Sequence, residues 1–465
     1  MSDASVVSVA FFEFIAAIAA SVIIYRFLKR NRKPDYSYIL ASFITVIFPA
    51  LFLAGGVVPE IAMDVIGGLF LVHCSIEKDW QWCRQRWVQC LGMLWVYMCL
   101  RSLLAPDISA SFSHSIVFAR YFIFAAALGY WTFSVPENRQ RFMQVLTVTL
   151  AFMIVDGFFE FRVGYDIVGG ILESATGRKF PDYEIFINTV GQLRLGGPFR
   201  KPILGIMITW LSFPVFLKYL MLDKSGAGQE EGNQRWRAYR RWVIAGLTVV
   251  LSMGAVSLSG ERLALLLMLL GWGIAVLLLP ACRGKVIALF IAGVLTVGIT
   301  IVANPLVMAR QGASTVKAIS DWHESPYGRL LVTDWSMVQL NPVFGIGSYE
   351  FRLVCPSLYP GMSEAKLKET CYIHPHNVYL EWLIENGVIG LGLFVFFIAL
   401  VFVQCIKSWK QEKQNPLFIG FLIAFALRVW PIASTTGLSS RWGAPPFWLV
   451  LGCLIGCMVI QEKRE

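Results

Sequence analysis

Residues 387–406 have the sequence GVIGLGLFVFFIALVFVQCI, and none of these side chains is charged. An α-helix rises about 1.5 Å per residue, so about 20 apolar residues cross the roughly 30 Å hydrocarbon core of a bilayer. This stretch therefore predicts a membrane-spanning helix, and similar runs recur along the rest of the chain.

The composition supports the same interpretation for the whole chain. Of its 465 residues, 57% are hydrophobic and only 15% are charged, whereas about 25% of a soluble domain is charged. We therefore expect an all-α polytopic integral membrane protein with about 12–13 transmembrane helices. The predicted spans are residues 6–28, 37–55, 57–75, 87–104, 115–134, 142–159, 202–222, 242–258, 262–279, 286–303, 377–406, 416–433 and 445–460.

The basic residues predict how the chain crosses the membrane. Lys and Arg cluster at helix ends, in alternate connections, so the net charge of +10 indicates membrane lipids rather than nucleic acid as partners. Taking the basic connections as cytoplasmic places the N-terminus outside and the C-terminus inside. We expect one membrane domain, residues 1–465, with two long loops, 160–201 and 304–376, on the outer side of the membrane.

The second long loop contains signals of a folded structure. Ser325 and Pro326 form a helix start, and Asn341 with Pro342 marks its end. The apolar positions between them recur at helical spacing. The sequence predicts an amphipathic helix over residues 326–340 that lies on the outer membrane surface.

Two of the ten cysteines, Cys355 and Cys371, lie in this same loop. An oxidising compartment favours a disulfide between them, and two free thiols are the alternative. No Cys/His spacing in the chain is typical of a zinc site, and we expect no metal site.

Polar residues next to apolar spans are the candidates for chemistry. Arg194 and Arg200 flank LGGPF, Arg262 follows SLSGE at the turn between two predicted spans, and HPHN occupies residues 374–377. The predicted topology places all three groups on the outer face of the membrane.

These residue types suit a reaction at a phosphate. An Arg guanidinium binds phosphate through two parallel hydrogen bonds, and a His can remove a proton from a hydroxyl group near neutral pH. Two arginines and a histidine at one interface therefore favour a lipid-linked pyrophosphate donor and an alcohol acceptor.

Each residue also has a purely structural alternative. A single Arg at a helix end commonly extends to the lipid headgroups, and a His near a helix start commonly caps the helix. Glu381 and Glu385 lie one turn apart on the face that begins at Asn377. We expect these two either to orient the site or to pack against arginines, and we expect Glu261 to neutralise part of the charge of its neighbour Arg262.

Several of these segments match a known family. Residues 374–387, HPHNVYLEWLIENG, resemble the His-x-His-Asn-x-x-Leu…Glu-x-Gly signature of the O-antigen ligase and O-antigen polymerase superfamily. Residues 194–197 (RLGG), 257–262 (SLSGER) and 341–347 (NPVFGIG) are similar to its Arg-x-x-Gly, Ser-rich and Pro-x-x-Gly-x-Gly stretches. The resemblance extends from about residue 190 to 405.

The resemblance implies a GT-C-like glycosyltransferase in the bacterial inner membrane, with its active site facing the periplasm. The donor would be a glycan on undecaprenyl pyrophosphate, and neither a metal nor another cofactor is expected. Arg194 and Arg262 would bind the pyrophosphate, with Arg200 as a further contact. His376 would be the general base, and His374 and Asn377 would contact substrate.

The leading hypothesis is an O-antigen ligase, which transfers the glycan to a sugar hydroxyl of lipid A–core. The alternative is an O-antigen or exopolysaccharide polymerase of the same superfamily, because both reactions displace undecaprenyl pyrophosphate with a hydroxyl. A transporter for a lipid-linked sugar is a third hypothesis. It predicts charges near the bilayer midplane and pseudo-symmetric broken helices, whereas here the polar residues gather at one interface.

Overall fold

The computed structural model describes residues 36–176, 194–199, 201–221, 231–371, 375–433 and 437–459. Within these ranges the protein is all-helical, without a strand. Its helices of seven or more residues are α1 (Tyr36–Leu51), α2 (Val57–Glu77), α3 (Arg86–Ser102), α4 (Ile108–Val117), α5 (Ala119–Ala127), α6 (Pro136–Val163), α7 (Ile167–Thr176), α8 (Leu204–Met221), α9 (Glu231–Leu258), α10 (Arg262–Leu278), α11 (Arg283–Ala303), α12 (Ser314–Ser320), α13 (Pro326–Leu340), α14 (Glu364–Thr370), α15 (Val378–Glu412), α16 (Pro416–Arg428) and α17 (Ala444–Val459).

Eight helical segments in the described part of the chain are long and apolar enough to cross a membrane, and α10, α16 and α17 are shorter apolar helices. The prediction of an all-α polytopic membrane protein is thereby confirmed. The helices follow the predicted spans in order from 37–55 onward, while the predicted span 6–28 lies outside the described residues.

Some predicted helix ends were wrong for local reasons. The predicted span 115–134 belongs to a segment that starts at Ile108, because the Asp107 carboxylate caps the helix by accepting the N–H of Ala110 at 2.9 Å. The helix predicted as 142–159 extends over the whole of α6 and ends at Gly164, which has φ +94°. A search for apolar runs stops at the first polar residues, so it missed the polar turns at the ends of these helices.

Two helices form the centre of the bundle. In α17 every residue is buried, and in α8 residues 204–217 are all buried. α8 packs against α6, α9, α10 and α16. The backbone of Gly420 in α16 lies so close to Pro214 in α8 that a Cβ atom at Gly420 would be 2.5 Å from the Pro214 Cα. Small residues of this kind allow close helix packing in membranes.

A buried ion pair joins the helices near the start of the chain. The Arg120 guanidinium lies 3.2 Å from the Asp64 carboxylate and 3.5 Å from the Glu60 carboxylate. All three side chains are at most 4% exposed. Charges buried to this extent need partners, so Arg120 has a structural role.

The loop after α11 forms a small core of its own. Met337 and Val338 of α13 pack with Ile346, Phe351 and Ile384. The predicted helix 326–340 is confirmed, with the Ser325 hydroxyl accepting the N–H of Gly328 at 3.1 Å. A disulfide joins Cys355 and Cys371, with their Cα atoms 5.7 Å apart, and it closes the loop shortly before residue 376.

A break in α15 anchors this loop to the bundle. Gly387 interrupts the helix with φ 65° and ψ −170°, and the Val388 N–H donates to the carbonyl of Pro342 at 2.9 Å. Next to this break, the chain turns at the glycines of the Pro-x-x-Gly-x-Gly stretch, where Gly345 has φ +75°. A Cβ at Gly345 would lie 2.3 Å from the backbone of Glu385, and one at Gly387 would lie 2.2 Å from the carbonyl oxygen of Val343.

We expect Gly387→Ala to destabilise the protein by about 2 kcal/mol or more, because the alanine is strained at positive φ and its Cβ clashes with backbone. Gly392→Ala is the matched control in the same helix, since no atom lies within 4 Å of a Cβ there. Thermal unfolding in detergent measures both variants. Equal unfolding temperatures for the two would contradict the packing described at Gly387.

Candidate functional site

The side chain of Asn377 fixes the position of His376. Its Oδ1 atom accepts the N–H groups of Tyr379 at 2.9 Å and Leu380 at 3.1 Å, so Asn377 is the N-cap of α15. Its Nδ2 atom donates to the carbonyl of Pro431 at 2.7 Å, which ties the cap to the segment after α16. His376 is thereby held, half-buried, at the start of a long helix.

The segment 194–199 is held by a buried carboxylate. Glu160 of α6 is 2% exposed, and its two oxygens accept the N–H of Gly196 at 3.1 Å and of Gly197 at 2.7 Å. Gly197 has φ +56°, a conformation that glycine adopts without strain. The Arg-x-x-Gly stretch is thus a tight turn whose amide groups face a negative charge.

The turn between α9 and α10 contacts the same segment. The carbonyl of Ser259 accepts the N–H of Leu195 at 3.1 Å, and Gly260 reverses the chain with φ +71°. The carboxylate of Glu261 then reaches α8, where it accepts the N–H of Gly205 at 2.6 Å. Glu261 therefore caps the start of a neighbouring helix rather than pairing with Arg262.

Arg262 contacts the segment that follows α11. Its Nε donates to the carbonyl of Arg310 at 3.3 Å, and an Nη donates to the hydroxyl of Ser314 at 2.7 Å. Arg310 in turn donates from Nε to the carbonyl of Gly260 at 3.2 Å and is 8% exposed. The turn between α9 and α10 and the segment around Arg310 thus bind each other through both arginines, and Arg262 is fixed in orientation.

The charge of Arg194 reaches both His376 and Glu261. Burial lowers the pKa of His376 below its usual value of 6.5, and the positive charge of Arg194 lowers it further. Burial raises the pKa of Glu261 to about 8, against the opposing effects of the Gly205 N–H and the Arg194 charge. Arg194 consequently lies near both the histidine and the turn that precedes Arg262.

Six site residues were predicted from the sequence, and the structure describes four of them. These four lie around the starts of α8, α10 and α15: Arg194, Arg262, His376 and Asn377. The other two, Arg200 and His374, lie outside the described residues.

The sequence reasoning missed Glu160 and Arg310. Glu160 had a signal, since it and Asp156 stand one turn apart in an apolar run where ionisable groups are costly. Asp156 is also fully buried and accepts the N–H of Ile167 at 2.7 Å. Arg310 had no such signal, because it sits in an ordinary loop sequence and only the fold brings it to Arg262.

The fold and the site define a polytopic membrane protein with a polar, arginine-bearing site at one end of its helix bundle. The model of the O-antigen ligase family matches residues 247–395, from within α9 into α15. This match supports the O-antigen ligase superfamily, whose members are glycosyltransferase-like enzymes. No curated protein matches the chain. The matched segment includes Arg262 and His376, and Arg194 lies before it.

We expect Glu160→Gln to loosen the segment 194–199. The amide has one acceptor oxygen instead of two, so one glycine N–H faces an NH₂ group and loses a charge-assisted hydrogen bond. Hydrogen exchange at Gly196 and Gly197 should become about tenfold faster, a change of about 1.4 kcal/mol. Glu137→Gln, at an exposed position of the same helix, should leave this exchange unchanged, and unaltered exchange in both variants would refute the anchoring role.

Proposed function

We propose that this protein transfers a glycan from undecaprenyl pyrophosphate to a sugar hydroxyl of lipid A–core, as an O-antigen ligase. The observation that carries the proposal is the position of Arg194, whose charge acts on His376 and on the turn that bears Arg262. A base beside an anion-binding group is the arrangement that displacement of a phosphate leaving group requires.

The donor diphosphate would bind at the guanidinium groups of Arg194 and Arg262. A planar guanidinium matches phosphate geometry and stays charged when partly desolvated. Arg310, which donates to Gly260 of the turn before Arg262, would add a third positive charge that stabilises the developing negative charge of the leaving group. Because the arginines supply this stabilisation, the proposed reaction needs no metal ion.

The acceptor would be activated by His376. Its neutral imidazole removes the proton of the sugar hydroxyl as the hydroxyl oxygen forms a bond to the anomeric carbon of the donor glycan. The bond between that carbon and the pyrophosphate oxygen breaks, and undecaprenyl pyrophosphate leaves with the electron pair. His376 then holds the proton as an imidazolium and releases it to solvent.

The remaining predicted residues and the topology complete the proposal. Arg200 and His374 would contact the donor or acceptor, and Asn377 would act through its cap on α15. The loops 160–201 and 304–376 would lie in the periplasm, in a single inner-membrane domain. The lipid anchors of donor and acceptor suit a site at the end of a membrane bundle.

Purified protein with undecaprenyl-pyrophosphate-linked glycan and lipid A–core should form glycan-bearing lipid A–core. We expect His376→Ala to lower the rate by a factor of about 100 or more, because general base catalysis typically contributes 10²–10⁴-fold. A chelator should leave the wild-type rate unchanged.

Two outcomes would count against this proposal. Longer lipid-linked chains made from the donor alone, with lipid A–core unmodified, would indicate a polymerase. A normal rate in His376→Ala, at normal expression and unfolding temperature, would exclude the histidine as the base.

Arg194→Gln should change the pH profile as well as the rate. Only the neutral imidazole accepts a proton, so activity falls as the pH drops through the pKa of His376, which lies below 6.5 in the native protein. Removing the positive charge raises that pKa. The acid limb of kcat/KM against pH should therefore move to higher pH.

Arg329→Gln is the control for the pH profile, because Arg329 is an exposed Arg of the long loop. Its acid limb should coincide with that of the wild type. An unshifted acid limb in Arg194→Gln would mean that the two groups do not interact in the working enzyme.

A further inference from the structure

A small cavity lies one helical turn beyond the proposed base. It has room for a group the size of a water molecule or hydroxyl, about 20 Å³. Glu381, Glu385 and Asn386 of α15 line it, together with Ser439. The Glu381 N–H donates to the carbonyl of Asn377 at 2.9 Å, so the cavity starts about 6 Å along the helix from the cap.

Two polar atoms of this cavity have no hydrogen-bond partner among the described residues. Asn386 is 2% exposed, and its side-chain oxygen is unpartnered, as is the Oε2 atom of Glu381. A buried polar atom without a partner destabilises the protein. The backbone carbonyl of Asn386, in contrast, accepts the Tyr97 hydroxyl at 2.8 Å.

Both unpartnered atoms accept hydrogen bonds, and this defines the occupant's chemistry. A carboxylate oxygen and an amide oxygen need a donor such as a hydroxyl group. Arg428 acts electrostatically on Glu381 and Arg352 on Glu385, against the nearby acids Asp334 and Glu350. Charges of both signs therefore act on the two glutamates, and an uncharged hydroxyl group, which both donates and accepts a hydrogen bond, suits the Oε2 atom of Glu381 in either protonation state.

The walls of the cavity are aromatic as well as polar. Trp382 and Phe118 line it beside the carboxyl groups, and their rings lie edge to face with centroids 5.8 Å apart. Both side chains are buried, and Trp382 also stacks on Phe394 with centroids 5.1 Å apart, so the cavity admits one small polar group rather than a whole ring. A lipid tail would leave the polar atoms unpaired.

The rim of the cavity is rigid. His114, which also lines the cavity, contacts Ser439 at 3.1 Å between Nε2 and Oγ, and its ring stacks on Tyr349 with centroids 5.1 Å apart. Arg352 covers the Tyr349 ring at 4.0 Å. A preformed rim of this kind reduces the entropy lost when a ligand binds.

We propose that this cavity receives one hydroxyl group of the acceptor sugar, and that Glu381 and Asn386 help determine which sugar is accepted. The proposal rests on the proposed transfer to a sugar hydroxyl, and it assigns the acceptor to the first turns of α15, beyond His376.

The first test is steady-state kinetics of Glu381→Gln with lipid A–core as acceptor. The amide keeps the shape but loses a charged acceptor atom, so the KM for the acceptor should rise about tenfold. The KM for the donor and kcat should stay within about twofold. Glu77→Gln, at an exposed position of α2, should match the wild type. Unchanged acceptor KM in Glu381→Gln would overturn the proposal.

The second test measures acceptor binding and does not depend on glycan transfer. A Ser439→Cys variant, made in a protein with the exposed Cys83 replaced by serine, is labelled with a small methanethiosulfonate reagent. Lipid A–core without donor should slow labelling of the cysteine at least threefold, measured against the same protein with Ser439 retained. Labelling that is unaffected by lipid A–core would overturn the proposal. Because this test does not use Glu381→Gln, its result holds even if that variant fails to fold.

The two tests separate this inference from the proposed function. Slowed labelling with no transfer by the wild type would leave the acceptor site standing and refute the ligase activity. Transfer with unchanged acceptor KM in Glu381→Gln and unaffected labelling would refute the acceptor site alone.

Discussion

The site depends on one interaction inside the helix bundle, the acceptance of two glycine N–H groups by the buried carboxylate of Glu160. Buried backbone N–H groups that make no helical hydrogen bond in a membrane protein must find acceptors elsewhere in the protein. The carboxylate of Glu160 is the acceptor for Gly196 and Gly197, and the carbonyl of Ser259 is the acceptor for Leu195. These contacts leave Arg194 at the end of a fixed turn, where its charge reaches His376 and Glu261.

The same principle explains the break in α15. An uninterrupted helix would leave the turns of residues 342–347 without a support, but at Gly387 the helix opens and its carbonyls accept the N–H groups of Ile346 and Gly347 at 2.9 Å. Arg101 of α3 adds donors to the carbonyl of Gly345 at 2.6 and 3.0 Å. The first turns of α15 thereby become a separate, anchored unit that carries His376 at one end and the acidic cavity beside it.

The sequence predicted the helices well and the contacts between them poorly. Apolar runs located α1, α2 and the later spans because membrane thickness sets their length, and Ser325 with Pro326 marked the start of α13. Nothing local indicated that Glu261 caps α8, since that bond joins residues 56 positions apart. Arg310 was likewise invisible until the fold placed it beside Gly260. Local propensity determines helices, whereas the partners of a buried polar group depend on which helices meet.

The central claim is that Arg194, Arg262 and His376 surround one lipid diphosphate. An electron cryo-microscopy map of the protein with undecaprenyl pyrophosphate tests this most directly. We expect diphosphate density within hydrogen-bonding distance of the Arg194 and Arg262 guanidinium groups, with the His376 ring facing the side where the glycan would be attached. Diphosphate density at another end of the bundle, or contacted by neither arginine, would contradict the account.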